Sequence, residues 1–126
     1  MAQPRMRLSA AVLGTPDPPA LAAFYSRLLG WPVTQSEPDW AMIRPPAGGS
    51  GLSFQVESTY EPPVWPPQPG AQQMMVHLDI AVEDLEQGVA WAVDQGARVA
   101  EHQPQEDVRV MLDPVGHPFC LFPGEV

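Results

Sequence analysis

Apolar residues recur at helical spacing in two separate stretches of the chain. Each stretch follows a short apolar segment that ends in an aspartate. In the first stretch, Asp17 can cap a helix, Pro18 suits its first turn and Gly30 can end it. The apolar positions of this predicted helix are Leu21, Phe24, Tyr25, Leu28 and Leu29. The pattern therefore predicts an amphipathic helix between an aspartate cap and a glycine stop.

The second stretch has the same layout. Asp84 can cap a helix, Gln87 follows three residues later, and Gly96 is the expected stop. The predicted apolar face consists of Leu85, Val89, Ala92 and Val93. Trp31 and Trp91 belong to the helix-end and helix-face patterns, so both are expected to pack in the core.

The likeness between the two stretches extends beyond the helices, at an offset of 65–68 residues. Three further pairs of segments correspond: residues 31–33 with 97–99, residues 40–44 with 108–112, and residues 54–56 with 119–121. Each half therefore reads strand, helix, strand, strand, strand. The sequence predicts one α+β domain made of two tandem β-α-β-β-β modules, about 6–59 and about 73–123, with a connector at about 60–72.

One helix can cover only one face of a four-stranded sheet, so the other face of each module must meet something else. Two such sheets side by side predict an eight-stranded, half-open curved sheet with a concave ligand cavity.

Composition limits the function further. Fifteen acidic and six basic residues give a net charge of −9, which argues against nucleic acid and against an anionic membrane surface as partners. Lysine is absent, which excludes Schiff-base catalysis and a P-loop lysine. A single cysteine, with no signal-peptide pattern and no apolar run of membrane-spanning length, favours a reducing, cytoplasmic setting.

The connector is rich in proline. Five of the seventeen prolines fall between Pro62 and Pro69, and Trp65 lies among them. Such a segment is stiff. An indole held by prolines is a pre-organised surface for stacking a planar ligand. The alternative interpretation is that Trp65 pins the connector onto the core.

Three segments carry a resemblance to a known superfamily: residues 16–31, PDPPALAAFYSRLLGW; residues 75–89, MVHLDIAVEDLEQGV; and residues 113–122, DPVGHPFCLF. Together they resemble the vicinal oxygen chelate superfamily, which includes glyoxalase I, bleomycin-resistance proteins and extradiol dioxygenases. The resemblance implies the paired-module fold and frequent dimers. It leaves the reaction open, because this superfamily hosts many chemistries on one scaffold.

Metal-dependent members take two ligands from each half, one on its first strand and one on its last. The resemblance places these positions at Ala10 and Gln55 in the first half and at His77 and Cys120 in the second. Alanine cannot coordinate a metal, and the remaining amide, imidazole and thiol are poor ligands for Mg²⁺ or Mn²⁺. We therefore expect no metal and no other cofactor. If a metal binds, the expected ligands are His77, Gln55 and Cys120.

His77 and Asp79 alternate with an apolar trio on one predicted strand, so they are expected to face away from the helix and towards the cavity. Asp79 can orient the imidazole, act as a base, or lie solvated at the rim, whereas His77 can also be a histidine satisfied by hydrogen bonds at a strand edge. Cys120 lies in the apolar run 118–122, which is typical of a buried thiol that packs as a small hydrophobe. Trp40 begins a strand that is expected to line the sheet.

Three functions remain in competition. The favoured one is a metal-free small-molecule binding protein of the bleomycin-resistance type, a homodimer that sequesters or transforms a planar metabolite. The second is a metal-dependent glyoxalase-type lyase, isomerase or dioxygenase, and the third is a structural module. The residues expected to bind the ligand are His77, Asp79, Gln55, Cys120, Trp40 and Trp65.

Overall fold

The computed structural model describes residues 2–126 and divides them into two compact units, the first ending at Tyr60 and the second beginning at Glu61. The elements of the first unit are β1 (Ala10–Thr15), α1 (Pro18–Leu29), β2 (Val33–Glu37), β3 (Trp40–Ile43) and β4 (Gly51–Val56). Its strands form one sheet in the order β1-β4-β3-β2, with β1 parallel to β4 and the other pairs antiparallel.

The second unit repeats this arrangement. Its elements are β5 (Leu78–Val82), α2 (Leu85–Gln95), β6 (Arg98–Val99), β7 (Arg109–Leu112) and β8 (Pro118–Pro123). The sheet order is β5-β8-β7-β6, and β5 is parallel to β8. Both sheets are open. The predicted α+β architecture of two tandem β-α-β-β-β modules is confirmed.

Both helices begin where the sequence places them. An Asp17 carboxylate oxygen accepts a hydrogen bond from the Ala20 N–H at 3.2 Å, and Asp84 accepts one from the Gln87 N–H at 2.9 Å. Each cap satisfies a backbone donor that has no partner within the helix. Within residues 2–126, neither helix has the length and the apolar character needed to cross a membrane.

The core of the first unit lies between α1 and its sheet. Phe24 and Tyr25 of α1 are fully buried, and their rings meet edge to face with centroids 4.8 Å apart. The Tyr25 ring also stacks on Phe54 of β4 at 5.8 Å. Successive strand residues point to opposite faces, so burial of Phe54 under α1 turns Gln55 to the other face.

The corresponding core of the second unit contains Phe119 and Leu121 of β8, Met111 of β7 and Ala92 of α2, all fully buried. The prediction for α2 was wrong at two positions, because Trp91 is 50% exposed and Val93 is 48% exposed. Each helical residue turns about 100° from the previous one. Trp91 and Val93, on either side of the buried Ala92, therefore lie at the edges of the helix face that packs against the sheet.

Candidate functional site

The parallel pairing of β5 with β8 brings chemistry-bearing residues together. Asp79 lies directly opposite Cys120 in the register of the two strands. Val82 contacts α2, because a Cβ added at Gly88 of that helix would lie 2.9 Å from a Val82 methyl carbon. Strand alternation from Val82 then places Asp79 and His77 on the face away from α2, as the sequence predicts.

The side chains of His77, Asp79 and Cys120 form a compact group. The His77 Nε2 atom is 3.2 Å from the Asp79 Oδ1 atom, and the side chains are 41% and 62% exposed, respectively. One ligand atom from each of the three residues lies within 4.8 Å of the other two. An imidazole, a carboxylate and a thiol therefore meet at one point of the sheet.

The turn before β8 fixes which of its side chains join this group. Asp113 is fully buried, and its Oδ1 atom accepts hydrogen bonds from the Val115 and His117 N–H groups, each at 3.0 Å. The Gly116 N–H donates to the Asp113 carbonyl at 2.9 Å. This hydrogen-bonded turn sets the start of β8 and, through alternation, the face on which Cys120 lies.

A loop between β6 and β7 supplies another part of the site. The Gln103 side chain accepts from the Val110 N–H and donates to the Val110 carbonyl, both at 2.8 Å, and the Ala100 N–H donates to the same carbonyl at 3.0 Å. The Gln103 side chain also donates to the Ala100 carbonyl at 2.8 Å. These bonds hold the loop that carries Gln105 and Asp107.

Together these elements form a cleft of about 380 Å³ on the face of the second sheet away from α2. The volume is within the range of small-molecule sites. We call it the His77 cleft; its lining residues are His77, Asp79, Gln105, Asp107, Val108, Cys120, Phe122 and Pro123. It combines an apolar wall with a small set of polar groups.

The Cys120 thiol is held in its neutral form. Burial raises its pKa above the ordinary value for cysteine, and the nearby Asp79 carboxylate raises it further. Both effects disfavour the thiolate, because a negative charge is costly where water is scarce and where another negative charge is close. The environment therefore disfavours Cys120 as a nucleophile and suits it to line the cleft as a small, weakly polar group.

Two of the predicted ligand-binding residues lie in the first unit. Trp40 and Gln55 are directly opposite each other in the β3–β4 register, on the face away from α1. Trp40 is partly buried and Gln55 is exposed. The Gln55 amide donates to a Glu57 carboxylate oxygen at 3.4 Å.

Trp65 belongs to the second unit but does not line the His77 cleft. Its indole N–H donates to the His102 carbonyl at 3.0 Å, and the two rings are 5.9 Å apart, centroid to centroid. In the same segment, Pro62 contacts the Gly116 turn, where an added Cβ would lie 2.9 Å from the Pro62 Cβ. These contacts favour the interpretation that Trp65 pins the proline-rich segment.

The strand registers correct the predicted correspondence between the two modules. Val12, five residues before the Asp17 cap, pairs with Ser53, whereas Asp79, five residues before the Asp84 cap, pairs with Cys120. Ser53 is therefore equivalent to Cys120, at a constant offset of 67 positions. The equivalence of Gln55 with Cys120 was wrong by two residues, because only the pairing of β1 with β4 fixes the register of β4.

The three grouped donors fit one class of metal. Zn²⁺ is bound by imidazole nitrogen, carboxylate oxygen and thiolate sulfur, and its catalytic sites use three protein ligands with a fourth position open. Mg²⁺ and Mn²⁺ prefer oxygen ligands, of which this group has one carboxylate. The third member of the group is the carboxylate of Asp79, whereas the predicted set of metal ligands has the Gln55 amide in that place.

Several lining residues were missed by the sequence analysis. Val108 and Phe122 could have been found from the sequence, because each lies two residues from Val110 or Cys120 and residues two apart on a strand share a face. Gln105 and Asp107 carry none, because their loop has no periodic pattern. Its position depends on the hydrogen bonds of the Gln103 side-chain amide to Val110, which no periodic pattern reveals.

The comparisons with known proteins agree with this architecture. A family model described as a glyoxalase-like domain matches residues 10–122. No curated protein matches the chain.

Several solved structures resemble it at low sequence identity. A glyoxalase/bleomycin resistance protein/dioxygenase family enzyme from Burkholderia phytofirmans is 18% identical, covering 92% of this chain and 97% of that chain, with a TM-score of 0.67. Protein ATC0852 from Agrobacterium tumefaciens is 20% identical, covering 97% and 100%, with a TM-score of 0.69. A bleomycin resistance determinant encoded on transposon Tn5 is 18% identical, covering 96% and 100%, with a TM-score of 0.59.

Proposed function

Because the chain belongs to the glyoxalase-like domain family, we propose that it binds a small planar metabolite in the His77 cleft without a metal ion, to sequester or transform it. A bleomycin resistance determinant and a family enzyme both share its fold, so the fold alone is compatible with binding and with catalysis. The function must therefore be argued from the site.

One observation carries the proposal: the His77–Asp79 pair lies in a cleft that apolar side chains also line. Ligand sites are mostly apolar with a few placed polar groups, which orient the ligand and give specificity. Phe122, Val108 and Pro123 supply apolar contact for a flat ring system. Because its Nε2 atom faces Asp79, the His77 imidazole has its Nδ1 atom for a hydrogen bond to a ligand beside that surface.

The test is a screen of planar aromatic compounds by thermal shift and by two-dimensional NMR on the full chain. We expect bound compounds to shift the signals of His77 and Cys120, and His77→Ala to weaken their binding about tenfold, which corresponds to one lost hydrogen bond. Asp94→Ala, on the exposed side of α2, is the matched control and is expected to bind as the unmodified protein does. Equal affinity of His77→Ala and the unmodified protein would remove His77 from the site.

A second candidate function follows from the group formed by His77, Asp79 and Cys120. These residues would hold a zinc-class ion, which would supply Lewis-acid polarisation of a bound oxygen and support a glyoxalase-type lyase, isomerase or dioxygenase. Binding would require Cys120 to lose its proton, which its raised pKa opposes.

Elemental mass spectrometry on untagged protein never exposed to chelator separates the two candidates. We expect far less than one equivalent of any transition metal. About one equivalent, together with a sulfur-to-metal charge-transfer band for added Co²⁺ that Cys120→Ser abolishes, would replace the metal-free proposal with the metal-dependent one.

We also propose that the protein is a cytoplasmic homodimer. The single cysteine supports the reducing compartment, and the dimer is what the resemblance to the vicinal oxygen chelate superfamily implies. Light scattering coupled to gel filtration is expected to give twice the mass of one chain. A mass of 13.7 kDa would contradict the dimer.

A further inference from the structure

Two of the polar groups that line the His77 cleft are acidic. Asp79 and Asp107 both line it, and no arginine does. His77 contributes at most one positive charge, so two ionised carboxylates leave the lining negative whether the imidazole is protonated or neutral. The cleft itself, and not only the chain as a whole, therefore has a negative field.

The arginines of the second unit lie away from this cleft. Arg109 is the first residue of β7 and directly follows Val108, so its side chain points to the opposite face, where it lines a separate cleft with Asp84 and Glu86 beside the start of α2. Its guanidinium also donates to the Glu106 and Val108 carbonyls. Arg98 is on β6, at the opposite edge of the sheet from β5.

The apolar part of the lining includes an aromatic ring, which can also attract a cation. Phe122 is partly buried and follows Cys120 by two residues, so its ring lies on the same face of β8. An aromatic face attracts a cation within about 6 Å, and a carboxylate donates no hydrogen bond but accepts those of an ammonium group. An anionic ligand would meet two like charges here, against at most one positive charge, that of the His77 imidazole, which already faces Asp79.

We infer that the ligand of the His77 cleft is an organic cation, a planar aromatic body that carries a protonated amine as the hydrogen-bond donor to the carboxylates of the cleft, Asp79 and Asp107. This inference rests on the proposed small-molecule binding function and names its ligand class. The amine donates to the carboxylates while the flat body packs against Phe122 and Val108. Neutral and anionic compounds of the same shape lose the charge-assisted hydrogen bonds.

Three compounds of matched shape test the charge: 2-naphthylmethylammonium, 2-naphthylmethanol and 2-naphthoate. Each is titrated into the full chain in the presence of EDTA, which removes any route through a bound metal, and two-dimensional NMR follows the signals of His77 and Cys120. We expect the ammonium compound to bind about tenfold more tightly than the alcohol and the carboxylate compound to bind most weakly. At about 1 M salt, where the Debye length is about 3 Å, the advantage of the ammonium compound is expected to shrink.

Variants test the assigned residues. Asp79→Asn and Asp107→Asn each remove one charge at nearly constant shape, and each is expected to weaken the ammonium compound severalfold while leaving the alcohol unchanged. Asp94→Asn on α2 removes the same charge outside the cleft and is expected to leave all three affinities unchanged. Asp107 is on a loop, so its variant remains informative if Asp79→Asn lowers the stability of the strand.

The outcomes separate the two proposals. If the alcohol or the carboxylate compound binds in the cleft as tightly as the ammonium compound, the cationic ligand class is wrong and the binding function stands. If either asparagine variant leaves the ammonium affinity unchanged, that carboxylate is not part of the site. If none of the three compounds shifts a cleft signal, both the ligand class and the binding function are overturned.

Discussion

The Asp79 carboxylate faces two different neighbours, the His77 imidazole at 3.2 Å and the Cys120 thiol across the strand pair. Its negative charge is one of the two causes that raise the pKa of Cys120, the larger being burial. Asp79→Asn is therefore expected to lower the pKa of Cys120, which increases the thiolate fraction at every pH below that pKa and so speeds alkylation. The pH profile of iodoacetamide labelling, followed by mass spectrometry, measures this directly because the chain has one cysteine.

Asp94→Asn is the charge-matched control for this experiment, and its labelling profile is expected to follow that of the unmodified protein. An unchanged or slower profile for Asp79→Asn would show that burial alone keeps Cys120 protonated.

At Gly116, backbone conformation and packing act together. Its φ is +96°, a left-handed conformation that costs other residues about 1–2 kcal/mol, and an added Cβ would lie 2.9 Å from the Pro62 Cβ. Gly70 in the same unit has φ +79° but nothing within 4 Å of an added Cβ. Gly116→Ala is therefore expected to lower the free energy of unfolding by more than Gly70→Ala does, and urea denaturation measures both. Equal losses would mean that Pro62 moves aside at no cost.

At the scale of elements, α2 approaches its sheet through a glycine. An added Cβ at Gly88 would lie 2.9 Å from one methyl carbon of Val82 and 3.1 Å from its Cβ. Alanine is normally better than glycine inside a helix by about 1 kcal/mol. Here the clash reverses the sign, because the stiff β-branched side chain of Val82 cannot turn away.

Gly88→Ala is accordingly expected to destabilise the second unit by about 1–3 kcal/mol. Combining it with Val82→Ala tests the cause, since the clash is then removed. In that background the same substitution is expected to be neutral or stabilising in urea denaturation. A loss of equal size in both backgrounds would show that the helix is not held against β5 at Gly88.

The elements differ in how far the sequence predicts them. The helix ends follow from local chemistry, because the caps Asp17 and Asp84 each bond a backbone N–H three residues away. The face of β5 that carries His77 follows from simple alternation. Strand pairing is different: the equivalence of Ser53 with Cys120 depends on which residues meet across β1 and β4, and no local pattern encodes that register.

The candidate site shows the same division. His77, Asp79 and Cys120 were predicted as ligand-binding residues, and the structure brings these three together. The loop residue Asp107 has no sequence signal, since its position depends on the hydrogen bonds between the Gln103 amide and the Val110 backbone. Whether the site includes Trp40 and Gln55 stays a prediction, to be tested by the response of Trp40→Phe and Gln55→Ala to the same compounds.

At the scale of the whole molecule, the net charge determines which charged partners the protein attracts or repels. A net charge of −9 repels polyanions over distances that grow as salt is removed, since the Debye length is about 30 Å at 0.01 M. We therefore expect no retention on heparin and no shift of duplex DNA at low ionic strength, checked by chromatography and gel electrophoresis. Retention that weakens with salt would reveal a local basic surface that the net charge conceals.

The first and last strands of the two units correspond at an offset of 67 positions, so each backbone position of the candidate site has a counterpart in the first unit. The counterparts of His77, Asp79 and Cys120 in the first unit are Ala10, Val12 and Ser53. Serine and cysteine differ by one atom, and Val12 is already 46% exposed, so neither exchange forces a large side chain into the core. Three substitutions, Ala10→His, Val12→Asp and Ser53→Cys, would thus place the same three donor side chains on strands β1 and β4 of the first unit. The internal repeat thus gives the first unit three backbone positions equivalent to those of the donor group, without the imidazole, carboxylate and thiol.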